Sequence, residues 1–405
     1  LAWLTLRYLR DCKPVSGFLN IISIVMVILA GTQIAAYLIN TSSGERATAR
    51  WSKGSGLMST ARPGDQPDVY LIILDLYVRA DVLYTDLGFD NSDFIQQLES
   101  MGFYVASCSR SNYSNTASSM VSSLNMNYLP ELIDEAAEQG ISPSNLWLLI
   151  KSNLVRKIFE SLGYRTVAFD TGYRWTSLDD VDIYLTRDQN IYGVQFISPF
   201  EQMLVDSTAL SIYSDYLTRA NRQKYYGASH YDANYIGLQE FILDQLPKVA
   251  EINAPTFTYA HISVTHPPFV FSPEGYLSNL EPEQTNDIPH FPQSYILSIE
   301  YLNPRIISII QEILDKSTVP PIIILQGDHG YWERGKDGGI NQILNAYYLP
   351  GLQDGKLYPS ISPVNSFRLV FNEYFGGRYK MLPDESFNIK YINTPLPEDH
   401  PDCQK

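Results

Sequence analysis

Two short runs, residues 68–75 (DVYLIILD) and 321–328 (PIIILQGD), each string β-preferring apolar residues together and close on an acid. A strand that is apolar on both sides must be covered on both sides, the condition of a central strand in a parallel sheet flanked by helices. Between and around these runs the pattern alternates. Helical spacing covers 92–101 and 144–162, while strand-like runs cover 103–107, 165–170 and 256–262. Residues 291–317 read as a helix interrupted at Asn303-Pro304, because proline removes a backbone donor and its ring crowds the preceding turn. Beyond the second acidic run, 345–350 predicts a further strand and 362–374 a closing helix. The expected fold class is α/β, with a mostly parallel central sheet and helices on both faces.

A second feature precedes this domain. Residues 14–44 contain no charge, and the 25 residues of 15–39 (VSGFLNIISIVMVILAGTQIAAYLI) are long enough to cross a bilayer core as a helix. A buried soluble helix is the lesser alternative for 25 residues with no charge and no amphipathic stripe, and a signal peptide would have a shorter apolar stretch with a cleavage site after it. The sequence therefore predicts a membrane segment over 1–40, its transmembrane helix at about 15–39, a Ser/Thr/Gly/Arg-rich linker over 41–67, and a folded domain over 68–405. Orientation is left open by charge, since Arg7, Arg10 and Lys13 on one side balance Arg46, Arg50 and Lys53 on the other. The chain opens on Leu1, and residues 1–9 (LAWLTLRYL) read like the end of another apolar segment, which predicts more sequence upstream.

Composition excludes some partners. The net charge of -15 repels polyanions, so nucleic acid is not an expected partner. The three cysteines, Cys12, Cys108 and Cys403, are far apart and odd in number, which predicts a fold resting on its core rather than on disulfides.

Four places carry candidate chemistry. Asp75 and Asp328 fall at carboxyl ends of strands, where open parallel sheets bind ligands, and two acids there can share a cation. His329 follows Asp328 in the sequence GDHG, so one turn offers a hard oxygen and an imidazole, a mix suited to Zn²⁺ or Mn²⁺. In 111–124 (SNYSNTASSMVSSL), Asn115 can cap a helix and leave Thr116 in its first turn, facing free N–H groups and the positive dipole end. A hydroxyl so placed is a candidate nucleophile; alone, the same residues are also an ordinary helix cap. In 258–271 (TYAHISVTHPPFVF), His266 lies off the strand and before two prolines, within reach of a substrate oxygen, whereas His261 on the strand reads equally as a core histidine.

In this order, a strand ending in Asp75, a helix-starting Thr116, an HxxxxHPPF segment and a late GDHG resemble the alkaline phosphatase superfamily. Within it the chain is similar to membrane-anchored sulfatase-like hydrolases and transferases, such as lipoteichoic-acid synthases and phosphoethanolamine transferases. The resemblance covers about 68–385. It implies one divalent metal ion, Mn²⁺ or Zn²⁺ rather than Ca²⁺ or Mg²⁺, held by Asp75, Thr116, Asp328 and His329. It further implies Thr116 as nucleophile and His266 and His261 near the substrate. Phosphate esters, or sulfate esters on the same site, of a membrane lipid or cell-envelope polymer are the implied substrates, and an extracytoplasmic catalytic domain breaks the orientation tie. A non-catalytic membrane-anchored binding module on the same fold is the alternative reading.

Three departures narrow the resemblance. Cys108-Ser109-Arg110 lacks the proline and spacing of the C/S-x-P-x-R setting that arylsulfatases need. No histidine falls in 330–345, where phosphoethanolamine transferases use one, so a single metal is expected rather than two. Their disulfide-rich catalytic domain is also unmatched, since only Cys108 and Cys403 lie beyond the membrane segment. The acidic, aromatic stretch 175–235 is expected either to shape the substrate site or simply to pack.

Overall fold

The computed structural model describes residues 66–187, 230–276, 291–331 and 340–388, apart from single positions, together with isolated positions in 16–32 and 392–396. In chain order the elements used below are β1 (Val69–Leu74), α1 (Ala80–Leu87), α2 (Ser92–Ser100), β2 (Tyr104–Val105), α3 (Thr116–Asn125), α4 (Leu129–Glu138), α5 (Leu148–Lys151) and α6 (Leu154–Ser161). They continue with β3 (Arg165–Phe169), β4 (Ile183–Leu185), α7 (His230–Gln245), β5 (Thr256–Ile262), β6 (Phe271–Ser272), β7 (Gly275–Tyr276), α8 (Phe291–Lys316), β8 (Ile322–Gly327), β9 (Asn345–Tyr348) and α9 (Pro363–Tyr374).

Among the described residues seven strands form one sheet in the order β2-β9-β8-β1-β5-β3-β4, and β6 pairs with β7 apart from it. β8, β1, β5, β3 and β4 run parallel, but β9 is antiparallel to both β8 and β2, so the sheet is mixed. No helix lies between β8 and β9 among the described residues, and without a crossover the chain can only return antiparallel. The central strand β1 is buried along its whole length and alternates its side chains between two cores. On one face Val69, Leu71 and Ile73 pack with residues of α3, α6 and α9; Phe159 of α6 stacks on Phe257 of β5 at 4.6 Å. On the other face Tyr70, Ile72 and Leu74 pack with residues of α2, α7 and α8.

Several local expectations change. The helix read over 144–162 is broken: Asn153 leaves the helical region and its side chain accepts from the Arg156 N–H, capping α6 separately from the one-turn α5. Of the two outcomes expected at Asn303-Pro304, a kink or two separate helices, the second does not occur: α8 runs through Pro304. Its apolar face, with Ile299, Leu302, Ile306 and Ile310 fully buried, holds it together, and the Arg305 guanidinium donates to the Tyr301 carbonyl and lies 3.6 Å over the Tyr301 ring. Cys108 is disulfide-bonded, an addition to a fold expected to rest on its core.

The predicted membrane segment lies mostly outside the described residues. Within it Ile21, Ile24, Val25, Val27 and Ile28 are helical and exposed, and among the described residues no helix is long and apolar enough to cross a membrane. Most of 175–235, read as a candidate substrate-shaping stretch, and the linker up to residue 65 also fall outside the described residues.

Candidate metal and active site

The site forms where three parallel strands end together. Leu74, the last residue of β1, is in register with Gly327 on one side and Ile262 on the other, so Asp75 and Asp328 leave the sheet abreast, with His261 one residue back on β5. The first glycine of GDHG is required by the approach of the turn after β1. A Cβ at Gly327 would lie 2.3 Å from the Tyr77 carbonyl oxygen. That turn contains Leu76 at φ 66°, a left-handed conformation unusual for a leucine, and it presents the Leu76 N–H to Asp328 Oδ1 at 3.1 Å. The His329 N–H donates to the same oxygen at 2.8 Å.

Each carboxylate thus has one oxygen engaged and one bare. Asp75 Oδ2 lies 3.2 Å from His261 Nε2, whereas Asp75 Oδ1 and Asp328 Oδ2 are buried without a hydrogen-bond partner. Ligand atoms of Asp75, His261 and Asp328 all lie within 4.8 Å of one another. Orphaned anionic oxygens in a dry setting are costly unless a cation faces them, and this donor set of carboxylates and imidazole suits one.

The other expected residues converge on the same point. Asn115 adopts extended backbone and its side chain accepts from the Ser118 N–H, so α3 begins at Thr116. Thr116 Oγ1 lies 3.2 Å from His329 Nε2, which in turn is 3.6 Å from Asp328 Oδ2 and 3.9 Å from Asp75 Oδ1. His329 Nδ1 faces the Gly330 carbonyl at 2.8 Å. His266 sits on the half-buried loop after β5, where its Nδ1 is 2.7 Å from the Pro267 carbonyl and its ring meets Tyr173 edge-on at 6.2 Å. His261 is only 1% exposed, beneath Asp75 rather than at the surface of the cleft.

Electrostatics follow from this packing. Burial works against charge on Asp75, but His266, then His261 and His329, outweigh it and hold the carboxyl well below the usual range. Burial likewise opposes charge on His261, yet the hydrogen bond to Asp75 and the charges of Asp75 and Asp328 raise its pKa. Tyr259, buried and facing both carboxylates, is pushed far up and stays protonated. Tyr259 was missed from the sequence, although its spacing of two from His261 on a strand was legible there.

No family model and no curated protein matches the chain. Among solved structures it is similar to the C-terminal periplasmic domain of EptC from Escherichia coli in complex with zinc, at 11% identity over 84% of this chain and 95% of that one, with a TM-score of 0.54. It is also similar to the soluble domain of lipooligosaccharide phosphoethanolamine transferase A from Neisseria meningitidis (12% identity, 78% and 90% covered, TM-score 0.48). A third similar structure is the lipoteichoic acid synthase LtaP from Listeria monocytogenes (12% identity, 79% and 75% covered, TM-score 0.46). The chain shares the fold of the EptC periplasmic domain.

Proposed function

We propose that this chain is a metal-dependent enzyme that hydrolyses or transfers phosphate esters, with sulfate esters the neighbouring class, at the outer face of a membrane. The observation that carries the reading is the pair of bare, buried carboxylate oxygens at adjacent strand ends, beside a threonine on a helix N-terminus. Asp75, Thr116, Asp328 and His329 would hold one divalent ion, and hard oxygens mixed with an imidazole favour Zn²⁺ or Mn²⁺ over Ca²⁺ and Mg²⁺. When bound, the ion supplies Lewis acidity to the hydroxyl and to the phosphoryl oxygens.

The chain's own residues account for the rest. Asn115 occupies the Ser118 N–H, so the first N–H groups of α3 remain to hold an anionic ester in front of Thr116. Thr116 Oγ1 would release its proton to solvent and attack phosphorus, and the ester oxygen departs with a proton from His266. Water or an acceptor hydroxyl, losing its proton to His266, then attacks the phosphothreonine, and the threonine oxygen leaves and takes a proton back from solvent. A membrane lipid or envelope polymer fits as substrate because 15–39 reads as a membrane anchor. A disulfide at Cys108 and the likeness to a periplasmic domain holding zinc support an extracytoplasmic site.

The test is metal analysis of the purified full-length protein beside a screen of phosphate monoesters, phosphate diesters and sulfate esters, with Asp328→Ala as control. About one bound Zn²⁺ or Mn²⁺, with cleavage lost in the control and in Thr116→Ala, is expected. Wild-type turnover by Thr116→Ala would remove the threonine mechanism, and a metal-free, inert protein would remove the enzyme.

A further inference from the structure

Tyr259 and His261 take no part in the reaction above, yet they lie directly behind one of its ligands. Residues two apart on a strand project from one face, so these two stand side by side on β5, each 1% exposed. Tyr259 Oη is 3.0 Å from His261 Nδ1, and His261 Nε2 is 3.2 Å from Asp75 Oδ2. With a divalent ion offsetting the two carboxylate charges that favour imidazolium, His261 is a neutral imidazole with one ring proton, and the two tautomers make different networks from these same distances.

With the proton on Nδ1, the imidazole donates to the Tyr259 oxygen. The phenol hydrogen then has no acceptor among the described residues, and a buried unpaired donor costs about 1–3 kcal/mol. With the proton on Nε2, the phenol donates to Nδ1 and Nε2–H donates to Asp75 Oδ2, so every hydrogen is placed. Asp75 Oδ1 has no hydrogen-bond partner in either network, but only the second gives Oδ2 a donor and so fixes the carboxylate.

Resting on the metal reading above, we infer that Tyr259 sets the Nε2–H tautomer of His261, and that His261 is a positioning residue that turns Asp75 Oδ1 toward the ion. His261 is then neither a ligand nor a substrate contact, and the ion has a single imidazole ligand, His329. The hydrogen-bonded chain from a neutral phenol through imidazole to carboxylate is an outer shell of the kind that fixes a ligand's orientation.

The test measures Zn²⁺ affinity of the full-length protein by competition with a chromophoric chelator, for wild type, Tyr259→Phe, His261→Gln and the double variant. Glutamine places an amide donor near the Nε2 position and has no tautomer to set. Tyr259→Phe is expected to weaken Zn²⁺ binding about 10- to 100-fold in the histidine background and to add no further loss in the glutamine background. An equal loss in both backgrounds, or none in either, would overturn the inference. Zinc-edge X-ray absorption on the wild type counts imidazole ligands without depending on any variant folding: one supports the inference and two overturn it. A wild type that takes up no Zn²⁺ overturns the metal reading, and this inference with it, which separates that failure from failure of the Tyr259–His261 argument alone.

Discussion

Replacing Gly327 by alanine tests whether the strand-end geometry depends on a close backbone approach. The new Cβ would lie 2.3 Å from the Tyr77 oxygen and 3.3 Å from the Ile343 Cβ, so it has no open side. The Tyr77 carbonyl accepts from the Leu344 N–H at 3.1 Å, and Gly327 N–H donates to the Leu344 carbonyl at 2.8 Å, so neither backbone is free to retreat. Relief requires a shift of about 0.7 Å, an overpacking that costs about 1–3 kcal/mol, with about 1 kcal/mol more for a stretched hydrogen bond. Alanine restricts the unfolded chain and returns about 0.4–1 kcal/mol, leaving a net loss of about 1–3 kcal/mol. Asp328 is the next residue and its Oδ1 is bound to the turn that must move, so Zn²⁺ affinity is expected to fall at least about tenfold. Urea unfolding of the full-length protein with a chelator present, followed by Zn²⁺ titration, reads both effects. Gly163→Ala is the control: its φ is +84° but nothing lies within 4 Å of the new Cβ, so it should cost about 1 kcal/mol and leave Zn²⁺ binding unchanged. If Gly327→Ala is no worse than that control in either measurement, the close approach is not what aligns the carboxylates.

Asn115→Ala removes the cap of α3 and should cost about 1 kcal/mol in unfolding free energy, while turnover falls by more because the first turn that carries Thr116 frays. Zn²⁺ at 100 times its Kd should stabilise the protein by about 2.7 kcal/mol in thermal unfolding, an increment that chelation reverses and that Asp328→Ala lacks. Cys108→Ser should lower unfolding free energy by about 2–4 kcal/mol, and a reducing agent should do the same to the wild type but not to the variant; identical melting of all samples would mean that the disulfide contributes nothing.

The sequence placed β1, β5 and β8 within a residue because each is a short run of β-preferring residues, and in the two that end in an acid the boundary is chemical as well as geometric. Strand direction was less legible: β9 has the composition of any buried strand, and its antiparallel course comes from the connection rather than from its residues. Asn153 shows a short polar side chain ending a helix that periodicity would have continued, while Pro304 shows the opposite, a local breaker overridden by a buried helix face. At the site, Asp75, Thr116, Asp328 and His329 announce themselves by residue type. The place of Tyr259 beside His261 follows from the two-residue period of a strand, whereas that of Gly327 depends on where the turn after β1 folds back, which no local pattern shows.

The elements that supply the site differ in how firmly they are held, and the difference matches the proposed division of labour. Asp75 and Asp328 stem from β1 and β8, paired to each other along their length and buried throughout. Thr116 comes from a capped helix packed by Met120, Val121 and Leu124 into the core beneath the same sheet face. His266 stands four residues beyond the end of β5, tied by its own carbonyl to the Tyr235 hydroxyl at 3.1 Å, whereas Asp75, Asp328 and His329 lie within two residues of a strand end. A cation site needs ligands fixed to a fraction of an ångström, whereas a group that meets the leaving oxygen must suit a variable substrate. Substitutions in the loop beyond His266, leaving Thr265 and its hydrogen bond to the Asp75 carbonyl in place, should therefore change which ester is cleaved while leaving Zn²⁺ affinity intact, and a ranking of esters that tracks Zn²⁺ affinity across such variants would show that the two functions are not separable.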